Sequence, residues 1–219
     1  MHLYHCVDAR SFRPLWTLEE MGLDYELTVL PFPPRVLAKE YKQLNPLGTV
    51  PFFEDGATRM TESSAICHYL ATRHGPSRLA LGADEADYGA FLNWTYFSDA
   101  TLTFPQTLVL RYARFEPAER RQPQVAADYA KWFLGRLRAV ESALDGKTWL
   151  CADRFTVADI TVGYALLLAE VLQLSREFGP NVTAYWQRLQ ARDGFQEAKQ
   201  AQRAGAEEAG VSVELPGAS

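Results

Sequence analysis

Two short runs carry residue types suited to holding a peptide-like ligand. The first, Asn45-Pro46-Leu47-Gly48-Thr49-Val50-Pro51, ends in a Val-Pro step beside a turn. Such an X-Pro bond is a candidate for the cis form. A cis bond ahead of Pro51 would leave the Val50 N–H and C=O free to pair with an extended peptide, as in strand addition. The second run, Glu62-Ser63-Ser64, stands just before an apolar-periodic stretch holding Ile66, Cys67, Tyr69 and Leu70. Amides at a helix start bind carboxylates, the Ser63 hydroxyl adds a polar group, and the Glu62 carboxylate takes an ammonium. Together they would grip a zwitterionic amino-acid head beside a peptide body.

The elements that must position these residues are readable around them. His2 to Cys6 reads as a strand, Asp8-Ala9-Arg10-Ser11 as a polar turn, and Phe12 to Met21 as a helix with Phe12, Leu15, Trp16 and Leu18 inward and Gly22 as its stop. Tyr25 to Phe32 reads as a second strand and residues 35–44 as a short helix. Val50 to Glu54 is a strand, and Asp55-Gly56 signals a hairpin. The following helix runs to about His74.

Residues 75–82 are turn-rich, and no strand periodicity returns after them. Residues 84–114 are helical and aromatic, with a bend expected near Pro105. Pro123 to Leu144 is a long helix whose inward stripe includes Tyr129, Trp132, Phe133, Leu137 and Val140. Thr156 and Asp159 form a capping box ahead of a helix to about Leu172. Two further helices follow over 181–192 and 195–204. The expected organisation is one domain over 1–75, an all-helical domain over 86–205, and a tail over 206–219.

Composition narrows the function classes. A net charge of −5 argues against nucleic acid as the main partner. Hydrophobic content of 47% suffices for a real core. No signal peptide and no membrane span is read in the chain. Three widely spaced cysteines, Cys6, Cys67 and Cys151, fit a reducing, cytoplasmic setting. The histidines His2, His5, His68 and His74 lack metal-ligand spacing, so no metal is expected. No glycine-rich phosphate loop and no Gly-x-Ser-x-Gly elbow occurs.

Asn45-Pro46-Leu47-Gly48, Val50-Pro51, Glu62-Ser63, the downstream Ala65 to Leu70, and the Thr156-x-x-Asp159 box together resemble the glutathione S-transferase superfamily, in its bacterial type. The resemblance implies an α/β plus all-α fold: an N-terminal thioredoxin-like domain followed by an all-helical domain. It implies glutathione as co-substrate, bound by Thr49, Val50, Pro51, Glu62 and Ser63. It implies a homodimer, and conjugation of the glutathione thiolate to an electrophilic small molecule as the reaction. The second substrate is expected between the domains, with Tyr96, Phe104, Leu108, Arg111 and Tyr112 as contacts; Arg111 would bind an acidic substrate or pair with a carboxylate such as Asp99.

The thiolate is the nucleophile, so such an enzyme needs a hydrogen-bond donor and a positive field at the sulfur. Tyr4, His5, Cys6, Arg10 and Ser11 lie near the relevant turn. Ser11 is the first choice, at a helix start whose field favours an anion, with Arg10 adding charge; backbone N–H groups are the alternative. Two departures weaken the match. Many relatives carry Ser where this chain has Ala9, or Cys where it has Arg10. Many carry Lys where it has Thr49, leaving Arg35 or Lys42 to reach the glycine carboxylate. The rival readings are a non-catalytic glutathione-binding protein, another glutathione reaction such as peroxide reduction, isomerisation or ether cleavage, and an interaction domain.

Overall fold

Leu3 and His5 are buried on one side of β1 (His2–His5) while His2 and Tyr4 are only partly covered, the period-two signature of a half-covered strand. In this computed structural model, which describes residues 1–213, β1 is an inner strand of a mixed sheet. It pairs in parallel with β2 (Glu26–Val29), His5 opposite Val29, and antiparallel with β3 (Phe52–Asp55), Leu3 opposite Phe53. β3 turns at Gly56 (φ 58°) into β4 (Thr58–Met60), giving the order β2-β1-β3-β4.

The parallel pair needs a crossover, and α1 (Phe12–Met21) supplies it. Every residue of α1 from Phe12 to Leu18 is buried. The segment expected as one helix over 35–44 is a single turn, α2 (Pro34–Leu37), then a 3-10 turn over Lys39–Gln43. α3 (Ser63–Arg73) follows the hairpin.

The chain divides into two compact units, one of residues 1–77 with the described residues from Ala191 onward, the other Arg78–Gln190. The last helix, α9 (Asp193–Glu208), therefore belongs with the sheet, where the sequence reading had grouped it with the helical domain up to 205. The reason is its inner face. Phe195 meets Trp16 and Phe12 edge-on, centroids 5.0 and 5.4 Å apart. Arg192 forms a two-pronged ion pair with Glu20, both contacts 2.6 Å. Gly205 lies flat on β2: a β-carbon there would fall 2.7 Å from Val29 Cγ2. The tail expected from 206 is helical through Glu208; its last residues, 214–219, lie outside the described ones.

In the second unit, α4 (Tyr88–Phe97) runs through a π-helical stretch, Ser98–Thr103, into α5 (Phe104–Leu110), so the irregularity sits just ahead of Pro105. α6 (Pro123–Ala143) carries Phe133, Leu137 and Val140 inward, but Trp132 is 44% exposed, contrary to its placement in the inward stripe. α7 (Val157–Val171) is buried from Val157 to Ala169 and forms the core around which the unit packs. Its capping box is present as expected: Asp159 accepts from the Thr156 amide at 2.8 Å. The same carboxylate accepts from the Leu150 amide at 3.1 Å and the Tyr185 hydroxyl at 2.8 Å. α8 (Pro180–Gln190) is capped from another helix, with Glu141 of α6 accepting the Asn181 and Val182 amides at 3.0 and 2.9 Å.

Candidate functional site

The turn ahead of β3 is built by one side chain. Buried Asn45 donates through Nδ2 to the Thr49 carbonyl at 2.8 Å and accepts the Leu47 amide at 3.2 Å; the Tyr41 hydroxyl also donates to that carbonyl, at 2.9 Å. Gly48, at φ 61°, lets the chain reverse where a side chain would not fit: a β-carbon there would fall 2.8 Å from that of Arg35 and 3.3 Å from Lys42 Cε. The Val50–Pro51 bond is cis. The Val50 N–H and C=O have no hydrogen-bond partner among the described residues. The Thr49 side chain is exposed.

At the start of α3 the first helical bond runs from the Ile66 amide to the Glu62 carbonyl, 2.9 Å. The amides ahead of Ile66 thus have no acceptor within the helix. Glu62 is exposed, and its carboxylate has no partner among the described residues. Ser63 is 3% exposed, and its hydroxyl accepts a hydrogen bond from Arg13 Nη1 at 2.9 Å.

The loop between β1 and α1 is arranged differently from the sequence reading. Ser11, chosen to face a thiol, is fully buried. Its hydroxyl accepts the Cys6 amide at 3.2 Å and sits 2.8 Å from His5 Nδ1. On the other side of that ring, Nε2 lies 3.0 Å from Gln202 Oε1. The same Oε1 accepts the Asp8 amide at 3.1 Å, and Gln202 Nε2 donates to Asp8 Oδ1 at 2.7 Å. These contacts settle the amide orientation, so His5 carries its proton on Nε2 and receives one from Ser11 on Nδ1. Burial holds His5 neutral, lowering its pKa to about 4. With its one proton committed to His5, Ser11 ties the loop to β1.

The other activator candidates sort by position. Burial pushes the Cys6 thiol up to about 12, which makes it an unreactive core residue. Tyr4 packs against Tyr41 and Phe52, centroids 5.7 and 5.8 Å away, on the face of the sheet opposite His5. Arg10, partly exposed in the loop itself, is the sequence-chosen cation with solvent access there.

The residues expected at a second-substrate site are dispersed along α4, α5 and the π-helical stretch Arg111–Phe115 that continues α5. Tyr96 and Phe104 are 52% and 49% exposed. Phe104 lines a 440 Å³ surface cavity of the helical unit together with Phe97, Pro105, Trp132 and Arg136; Tyr96, Leu108, Arg111 and Tyr112 do not line it. Arg111 has its partner in Glu116, Nε to Oε1 2.9 Å, in place of Asp99. Among the described residues no cluster of three or more His, Cys, Asp or Glu side chains could hold a metal ion, and no helix is long and apolar enough to cross a membrane.

Sequence reasoning missed Arg13 and Gln202. A signal existed for Arg13, since a cation between Phe12 and Leu15–Trp16 falls within the most apolar stretch of α1. None existed for Gln202, whose partners His5 and Asp8 are 197 and 194 residues away in the chain.

Comparison with known proteins gives concordant matches. Residues 9–73 match the Glutathione S-transferase, N-terminal domain, and residues 107–193 the Glutathione S-transferase, C-terminal domain. Over 202 residues the chain is 30% identical to Glutathione S-transferase 4 of Zea mays, covering 89% of each protein. Over 205 residues it is 28% identical to Glutathione S-transferase GstA of Escherichia coli O157:H7, covering 92% of this chain and 98% of that one. A solved glutathione transferase of Methylococcus capsulatus superposes with a TM-score of 0.78 at 28% identity, over 93% of this chain and 98% of that one.

Proposed function

Because this chain belongs to the glutathione S-transferase superfamily, we propose that it binds glutathione at Thr49, Val50, Pro51, Glu62 and Ser63 and directs the thiolate at an electrophilic small molecule. The observation that carries the proposal is a pair of unspent groups in the first unit, the Val50 main chain and the Glu62 carboxylate, neither with a partner among the described residues, with Glu62 standing directly ahead of the first residue of α3. In this reading Val50 pairs with the cysteinyl main chain, Glu62 takes the ammonium, and Ser63 with the helix start takes the adjacent carboxylate.

Arg35 and Lys42 supply the glycine-carboxylate contact that Thr49 cannot make. Both flank Gly48, and neither has an ion pair or side-chain hydrogen bond among the described residues. The sulfur lies at the Asp8–Ser11 loop, where Arg10 provides the positive field. We assign the protein as a homodimer, with exposed Phe104 and Trp132 as apolar surface for a second copy, and place it in the cytoplasm on its free cysteines.

Calorimetry with glutathione, together with turnover of a chlorodinitrobenzene-type electrophile, tests the reading. Binding in the millimolar range or tighter with measurable conjugation is expected; no heat at millimolar glutathione would remove it. One observation favours a second reading: the Ser11 hydroxyl, the one hydroxyl in the Asp8–Ser11 loop, is already hydrogen-bonded to His5. A protein that binds glutathione without lowering its thiol pKa would fit that arrangement. Ultraviolet titration of the bound thiol separates the two, a midpoint well below the ordinary value of about 8.5 marking the enzyme.

A further inference from the structure

Arg13 is fully buried, one of the largest side chains to be so, in the same unit as the proposed glutathione site. Its Nη1 donates to Ser63 Oγ across 2.9 Å. A guanidinium has donors only, so the serine oxygen must be the acceptor. The hydroxyl still carries one proton of its own. Ser63 is 3% exposed, yet that proton is donated to no described residue. A buried hydroxyl with an unspent donor is costly, and here it sits at the first residue of α3, beside the exposed carboxylate of Glu62.

We propose that Arg13 is a positioning residue for glutathione. By occupying a lone pair of Ser63 Oγ, it turns the hydroxyl proton outward, toward the α-carboxylate of the γ-glutamyl group. The cation also polarises the O–H bond, since hydrogen bonds in a chain strengthen one another at low dielectric. The buried positive charge then lies one hydrogen bond behind the ligand's negative charge. The inference rests on the glutathione-binding reading given above.

The test is a double-mutant cycle on the full chain: wild type, Arg13→Met, Ser63→Ala and the double variant, each titrated with glutathione by calorimetry and assayed for kcat and KM. Arg13→Met is expected to weaken glutathione binding by about ten- to a hundredfold, the range of a lost hydrogen bond to a charged group. kcat at saturating glutathione should hold within about twofold, because the interaction serves binding rather than the chemical step. In the Ser63→Ala background the same substitution should cost less than about threefold, there being no hydroxyl left to orient. Arg13→Lys, which keeps a buried cationic donor, should restore most of the affinity and covers the case in which the Met variant does not fold.

An Arg13 effect that persists undiminished without the Ser63 hydroxyl, or that appears only as a lower melting temperature with affinity intact, overturns the proposal. If wild type binds no glutathione, the functional reading fails first and takes this inference with it. If wild type binds and the cycle shows no coupling, the inference alone fails.

Discussion

Ser11 Oγ lies 2.8 Å from His5 Nδ1, and both residues are fully buried. The pair is one link of a directed chain: the Cys6 amide to Ser11, Ser11 to His5, His5 to Gln202, and Gln202 to Asp8, which Lys199 also holds at 2.6 Å. Each donor has one acceptor that suits it, which is how a buried polar group avoids the penalty of being left unpaired. The serine at the head of α1 is thereby tied into the fold by two buried hydrogen bonds, although its place in the chain suggests chemistry.

Ser11→Ala is therefore expected to keep glutathione conjugation within about threefold of wild type while destabilising the fold by about 1–3 kcal/mol, since His5 Nδ1 and the Cys6 amide lose their partner. Denaturant unfolding and the electrophile assay, run on the same preparations, read both quantities. A loss of turnover beyond about a hundredfold with stability intact would return Ser11 to the catalytic role.

Two buried groups give opposite pH dependences. His5 has its pKa lowered to about 4 by burial, so the unfolded chain binds its proton more readily. Its share of stability is present above about pH 6.5 and is lost as pH falls toward 4, about 3 kcal/mol in all. Asp159 has its pKa raised to about 6, burial outweighing the hydrogen bonds it accepts. Its share is present below about pH 4 and is lost as pH rises through 6, again about 3 kcal/mol. Between roughly pH 4 and 6 the two slopes oppose each other. Unfolding free energies across that window should therefore rise more steeply with pH in Asp159→Asn than in wild type. A curve for that variant parallel to wild type would refute the Asp159 assignment.

Arg35 and Lys42 are expected to share one ligand carboxylate. Each single change to alanine should weaken glutathione binding by about three- to tenfold, and the pair by more, with the affinity of wild type falling as salt is raised. Calorimetry at two ionic strengths checks this. Unchanged affinity in the double variant would place the glycine end elsewhere.

Gly205→Val should unseat α9 from β2, because a β-carbon at that position already falls 2.7 Å from Val29 Cγ2. A cost of about 1–3 kcal/mol is expected, as for overpacking a tight contact. Hydrogen exchange should show β2 and the Asp8–Ser11 loop losing protection together. Protection lost from α9 alone would mean that the helix does not support the loop.

What the sequence could determine by itself was whatever depends on neighbours in the chain. The Asp55-Gly56 hairpin, the Asn45 to Gly48 turn, the Gly22 stop of α1 and the Thr156–Asp159 capping box each join groups within a few residues of one another, so residue type and spacing suffice. The run from Val50 to Ser63 was legible for the same reason. Tertiary structure alone decided which polar groups were already spent. Ser11 looked like an open hydroxyl until His5 took its proton, with the His5 ring held from its other side by Gln202, on a helix at the far end of the chain. Arg13 acquired its relation to Ser63 across 50 residues, and α9 joined the sheet rather than the helices on the shape of a glycine and an aromatic ring. A hydrogen bond between distant segments is made only when packing brings its donor and acceptor together in a place water cannot reach, and no local pattern records that event.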